Sequence, residues 1–297
     1  MSVLSVRPAN ISISDRNVLW GRRLRNVLVT ISLLAVTTLV IIPFLWMLIM
    51  SVKTTGQILN DPFGLPADVR WQNYVRLFFD PQIAYYRYFL NSLFVTGLSV
   101  LLTAILASLA GFGFGRLRYD FKFRGAIFAL LVFALILPPQ ILYLPQFTLM
   151  AGYGLINSHW SLILIYAALG LPVSTYLMAT YFSQLPTELE DAARIDGCSD
   201  LRMFWQVMLP LARPALATVL LVNSLSFWNE LLLSSTMVTR PELRTLPSAM
   251  MNFVGENAAD YAMAAASLVV AMLPVLALYM LLSDKFIEGL TAGALKG

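Results

Sequence analysis

The sequence has only one cysteine, Cys198, and one histidine, His159. With one of each, no disulfide and no Cys/His metal cluster can form within the chain. It also lacks a glycine-rich loop ending in Gly-Lys-Ser/Thr, the arrangement whose backbone N–H groups cradle nucleotide phosphates. Any ATP that serves this protein must therefore be bound by another chain. Charge is scarce, with Asp, Glu, Lys and Arg making up 12% of 297 residues. No His, Cys or carboxylate pair collects on one helical face, which disfavours a membrane enzyme. Internal repeats are not evident, which weakens the case for a secondary carrier built from inverted halves. Such a carrier also uses several acids inside its spans, and here Glu230 is the only acid in an apolar run. Ion-gradient-driven transport of a small polar solute is the alternative reading to the one developed below.

What the chain has in excess is apolar surface. Hydrophobic residues make up 59% and the mean hydropathy is +0.74, beyond the needs of a soluble globule. A hydrocarbon core of about 30 Å requires roughly 20 apolar residues per helix. Six runs qualify, at about 27–50, 91–114, 126–147, 160–182, 211–235 and 263–283. Hydrocarbon offers no hydrogen-bond partners, so runs of this length predict helices rather than barrel strands. The expected fold is an all-α integral membrane protein with six transmembrane helices in one domain, 27–283. A lead, 1–26, precedes it, a tail, 284–297, follows, and the charged connection between the fourth and fifth runs covers about 183–210. The first run exceeds a secretory signal's apolar core and no small-residue cleavage site follows it at Ser51-Val52-Lys53, so it is read as a retained anchor.

Six crossings put both termini on one side, and Lys and Arg decide which. Cytoplasmic termini place fourteen basic residues inside: Arg7, Arg16, Arg22, Arg23 and Arg25 in the lead, Arg116, Arg118, Lys122 and Arg124 after the second run, Arg194, Arg202 and Arg213 around the fourth connection, and Lys285 and Lys296 in the tail. Six remain outside: Lys53, Arg70, Arg76, Arg87, Arg240 and Arg244. The net charge of +4 is thus mostly topology, and the basic residues flank spans instead of forming a nucleic-acid patch. Trp46, Trp160 and Trp228 are expected at membrane interfaces.

The fourth connection departs from the charge rule. Glu188, Glu190, Asp191, Asp196 and Asp200 outnumber Arg194 and Arg202 on a side that should be basic. Locally it predicts a short helix: Thr187 and Glu190 have capping-box spacing, Pro186 stiffens the start, and Gly197 can take the left-handed conformation that stops the turn. Leu189 and Ala193 share a face, and Ala192 and Ala193 let another surface come close. Ser199 or Asp200 would cap a second helix through Leu201, Phe204 and Val207. A solvated amphipathic loop has the same spacing.

Asp191-Ala192-Ala193-Arg194-Ile195-Asp196-Gly197, followed by Phe204 and Leu209-Pro210-Leu211-Ala212-Arg213-Pro214, closely resembles the EAA loop of ABC importer permeases. Asp191 stands where that family usually has glutamate, and Cys198 where alanine is common. Four further stretches resemble the carbohydrate-importing, maltose-type branch and its MalG-like subunit: Tyr88-Phe89-Leu90-Asn91-Ser92-Leu93, Gly154-Leu155-Ile156-Asn157-Ser158, Trp228-Asn229-Glu230, and the tail from Gly289 to Gly297. The resemblance covers roughly 25–297 and implies a permease of the bacterial cytoplasmic membrane. It further implies a second homologous permease, two ATPase subunits that bind ATP and Mg, and an extracytoplasmic solute-binding protein that lands on the loops at about 51–90 and 236–262. By resemblance, Glu190, Asp191, Ala192, Ala193, Arg194, Asp196 and Gly197 form a coupling helix seated on the ATPase. Thr291, Gly293 and Lys296 would belong to a tail reaching the ATPase dimer. The solute would be an oligosaccharide, disaccharide, polyol or glycerol phosphate, moved inward by alternating access.

Polar groups in spans are costly and usually face the bundle interior. Asn223, Ser226 and Glu230, spaced i, i+3, i+7, share one face of the predicted fifth helix, with Trp228 and Asn229 alongside. These five are candidates for the solute path. Ser92, Thr96, Ser99 and Thr103 form a similar stripe on the second span, where helix packing competes with solute contact. Prolines beside or within the runs remove backbone donors, and Pro138-Pro139 should end the third crossing early.

Overall fold

The structure is a computed structural model that describes residues 13–116, 118–255 and 258–294. Side chains at 13–21, 254–258 and 284–294 lie outside that description. Four long helices carry the longest apolar stretches: α1 (Ile13–Ser51), α4 (Tyr85–Gly115), α7 (His159–Gln184) and α14 (Tyr261–Ala294). Between α1 and α4 lie two short helices, α2 (Thr55–Asn60) and α3 (Gln72–Phe79). Between α4 and α7 come α5 (Arg124–Phe133) and α6 (Tyr143–Gly152). After α7 the chain forms α8 (Glu188–Ile195), α9 (Asp200–Met203), α10 (Leu209–Leu211), α11 (Arg213–Trp228), α12 (Leu232–Met237) and α13 (Leu246–Met250). A two-stranded hairpin, Val254–Gly255 against Ala258–Ala259, precedes α14.

Among the described residues four helices are long and apolar enough to cross a membrane, and two sharply bent helix pairs bring the passages up to six if each pair is one span. The third expected run folds as α5 with a 3₁₀ turn, then turns by 102° into the segment Pro139–Gly152. Pro138 and Pro139 cause the break, because neither has an N–H to donate and Leu137 is held extended at ψ 124° ahead of them. The fifth run also departs from expectation: a 78° bend separates Asp200–Leu211 from α11, which ends at Trp228 rather than near 235. Pro43, Pro172 and Pro274, by contrast, sit within continuous helices. The lead is helical from Ile13, and the glycine-rich tail continues α14 through Ala294. Thr291 and Gly293 belong to that helical backbone, while Lys296 lies outside the described residues.

The core is built around α4 and α7, the most extensively packed helix pair. Their approach rests on small residues, as in other membrane helix pairs. A Cβ on Gly111 would stand 2.5 Å from Met178 Cβ, so only glycine allows this separation. The stripe Ser92, Thr96, Ser99 and Thr103 is buried. Thr103 Oγ1 donates to Ser99 O, Ser99 Oγ donates to Val95 O, and Ser92 Oγ accepts from Leu246 N. Ser92, Ser99 and Thr103 therefore brace the backbone and hold α13, while Thr96 also borders a recess of about 160 Å³ between α4, α11 and α14. Gly111→Ala should cost about 1–3 kcal/mol by overpacking, read as a lower Tm of the detergent-solubilised protein.

Candidate functional site

Leu185, extended at ψ 139°, ends α7, and Pro186 leads into α8. Thr187 has helical dihedrals and makes no side-chain cap, so the expected capping box does not form. Its intended partner, Glu190, is turned inward instead. The other end of α8 follows expectation: Gly197 has φ +76°, Cys198 N donates to Ala193 O at 2.9 Å and Gly197 N to Arg194 O at 3.0 Å. This pair of bonds is the Schellman stop. Ser199 then caps α9, its side chain accepting from Arg202 N, while Asp200 lies inside the first turn. A π-helical turn, Phe204–Met208, links α9 to α10 and so to α11.

Glu190 and Arg116 are only 2% and 3% exposed and form an ion pair through Arg116 Nε. Arg116 sits immediately after α4. Its Nη1 also donates to Phe182 O at 2.8 Å and Leu185 O at 2.7 Å, the end of α7. One guanidinium thus holds the ends of α4 and α7 and the middle of α8. Ala193 enters the same buried cluster as Phe112, Phe182, Met203 and Phe204. The candidate coupling residues therefore divide by direction. Glu190 and Ala193 anchor the helix, Arg194 pairs with Asp200, and Asp191, Ala192, Asp196 and Gly197 are exposed. Ile195, absent from the expected set, is 86% exposed among these acids, a large apolar contact surface on a charged protrusion.

Arg118 adds an exposed pair to Asp191 at 2.9 Å, so the connection after α4 belongs to this surface as well. Sequence reasoning treated Arg116 and Arg118 only as topological votes. The available signal was position, since both follow the glycine that ends an apolar run. Tyr119 packs on Phe112, and burial, followed by the Asp200 carboxylate, pushes its phenol up to about 12. It stays neutral near pH 7, leaving the charge of the surface to its acids and arginines.

Asn223, Ser226 and Glu230 do not share one face, because Asn223 is buried, Ser226 is exposed and Glu230 lies past the end of α11. Asn223 is buried, donating to Ser174 Oγ at 2.8 Å and Val219 O at 2.7 Å. Ser226 and Asn229 are exposed, and both side chains donate to carbonyls one turn back on α11. Trp228 is buried with Nε1 on Ala271 O, not poised at an interface, and borders a recess of about 460 Å³ that Asn229, Met250 and Met272 also line. Glu230 lies past the helix end, where its carboxylate accepts from Tyr166 Oη at 2.9 Å and from the N–H groups of Leu233 and Ser234. It ties α7 to the start of α12. Among the described residues no group of three or more His, Cys, Asp or Glu is placed to hold a metal.

Removing one partner of a buried ion pair leaves the other charge unpaired, at about 3–5 kcal/mol, whereas an exposed pair is worth about 0–1 kcal/mol. Arg116→Ala should therefore lower the Tm of the solubilised protein far more than Arg118→Ala.

Residues 104–290 match the family described as binding-protein-dependent transport system inner membrane component. The diacetylchitobiose uptake system permease NgcG of Streptomyces coelicolor is 33% identical over 262 residues, 88% of this chain and 85% of NgcG. The melibiose/raffinose/stachyose import permease MelC of Bacillus subtilis is 33% identical over 86% of this chain and 91% of its own. A crystal structure of a bacterial ABC transporter involved in the import of alginate contains a chain of like fold, with TM-score 0.75 and 21% identity over 94% of this chain and 100% of that one. With its buried α4–α7 pair, its apolar passages and its helix–glycine–helix protrusion, the chain belongs to the inner membrane components of binding-protein-dependent transport systems.

Proposed function

We propose that this chain is a permease subunit that passes a carbohydrate inward by alternating access, driven by a partner ATPase. The observation that carries the reading is the α8–α9 protrusion, clamped to α4 and α7 by Arg116 while presenting Asp191, Ala192, Ile195 and Asp196 outward. A helix held in this way transmits a push to the membrane helices instead of folding aside. The carbohydrate class is supported by relatives such as NgcG and MelC, whose names specify diacetylchitobiose and melibiose, raffinose and stachyose.

In this reading the chain binds no nucleotide. ATP and Mg sit on two ATPase copies, beside a second homologous permease and an extracytoplasmic binding protein that delivers the solute. Both termini lie on the cytoplasmic side of the bacterial inner membrane in this reading, with the protrusion and the end of α14, Thr291 and Gly293 included, toward the ATPase; Lys296, assigned to the same contact, lies outside the described residues. Along the solute path, Trp228 and Asn229 border the open recess and Ser226 is exposed on α11, while Asn223 and Glu230 brace the helices that shape it.

Affinity capture of this chain from detergent-solubilised native membranes should bring down an ATPase whose activity rises with one loaded binding protein and its sugar. A chain that purifies alone and transports without ATP would overturn the reading. Gly197→Leu puts a side chain at φ +76°, a conformation costing about 1–2 kcal/mol for L-residues. In proteoliposomes it should lower sugar uptake while ATP hydrolysis persists, and full uptake would count against coupling through this bend.

A further inference from the structure

The helix α3 has two unlike sides. Asn73 and Leu77 face inward, and Asn73 Nδ2 donates to Ser51 O and Lys53 O at 2.8 Å. Trp71, Val75 and Phe79, spaced i, i+4, i+8, make an uncovered apolar stripe on another side, with Gln72 and Arg76 beside it. The stripe's height in the membrane is set by α1. Arg70 N donates to Val52 O at 2.8 Å, so Trp71 begins the stripe at the end of the α1 apolar run. Nearby, Trp46 Nε1 donates to Pro62 O and the Trp46 ring stacks on Phe63, itself 81% exposed. Between the two helices lies an open recess of about 370 Å³ lined by Leu45, Leu48, Ile49, Val69, Trp71 and Tyr74.

We propose that α3 and the segment before it form an interfacial apron: the Trp71–Val75–Phe79 stripe lies in the headgroup layer at the Ser51 end of α1, and a phospholipid acyl chain fills the recess between α1 and α3. Lipid is the occupant because the recess opens from the bilayer. One wall is the uncovered apolar face of α1, the other is formed by Val69, Trp71 and Tyr74, and the hydroxyls of Ser51 and Tyr74 at their junction are bonded to each other, which leaves the recess mainly apolar. An apolar stripe rich in aromatic residues beside a polar edge suits the boundary between headgroups and acyl chains. The Asn73 bonds keep the apron from sinking or lifting. Its role is to fix the depth of α1, which otherwise packs mainly on α14. The inference needs only that the chain sits in a bilayer, so its failure would leave the proposed transport function untouched.

The test uses the complex carrying this chain, purified whole and reconstituted in phosphatidylethanolamine and phosphatidylglycerol vesicles. In a Cys198→Ser background, nitroxide labels are placed at Gln72→Cys, Val75→Cys and Phe79→Cys. Labels at 75 and 79 should collide with oxygen and avoid a water-soluble nickel chelate, giving an oxygen-to-nickel ratio several-fold above that at 72. Equal ratios at the three sites would overturn the proposal. So would exclusion of both reagents at 75 and 79, which marks a protein partner, or protection that requires added binding protein. For the recess, phospholipids brominated near the headgroup end of the chain should quench less tryptophan emission after Trp71→Phe. Unchanged quenching would remove the acyl chain from the proposal.

Discussion

Arg116 ends α4 with its guanidinium inside the protein, and three chain segments meet on it. Nη1 takes the carbonyls of Phe182 and Leu185, and Nε takes Glu190. A charge this deeply buried is tolerated only when paired and hydrogen-bonded. That requirement fixes where α8 can lie. With Glu190 committed inward, the opposite side of α8 must face out, and Asp191, Ala192 and Asp196 become available to a partner. The same commitment leaves Thr187 without its capping partner.

The membrane part divides into a close-packed pair and jointed segments. Helices α4 and α7 come together at Gly111, and on α4 the hydroxyls of Ser92, Ser99 and Thr103 are hydrogen-bonded within the protein. The joints lie elsewhere: Pro138-Pro139 after α5, the bend ahead of α11, and the gap between α11 and α12 that Glu230 braces. A π-helical turn sits where the protrusion runs into α11. Close-packed helices and bent joints thus occupy separate parts of the fold.

Much of this was legible one residue at a time. Gly197 and Ser199 act as their residue types predict, because helix stops and caps depend on neighbours within a few positions. The apolar runs announced the passages for a similar reason, since transfer into hydrocarbon depends on composition over about 20 residues. Glu230 shows the limit. Hydropathy carried the fifth run past it, yet α11 stops at Trp228, and the carboxylate is satisfied by Tyr166, 64 residues earlier in the chain. Arg116 and Glu190, separated by 74 residues, gave no local signal of their pairing.

By itself the sequence determined that this is a helical membrane protein with an acidic, glycine-stopped connection and no nucleotide or metal motif of its own. Tertiary structure alone decided which acids of that protrusion point inward and which polar residues of the spans are packing rather than lining. The physical reason is range. Backbone dihedrals and hydrocarbon transfer are set within a turn or a run of chain, whereas pairing a buried charge needs a partner that only packing brings near.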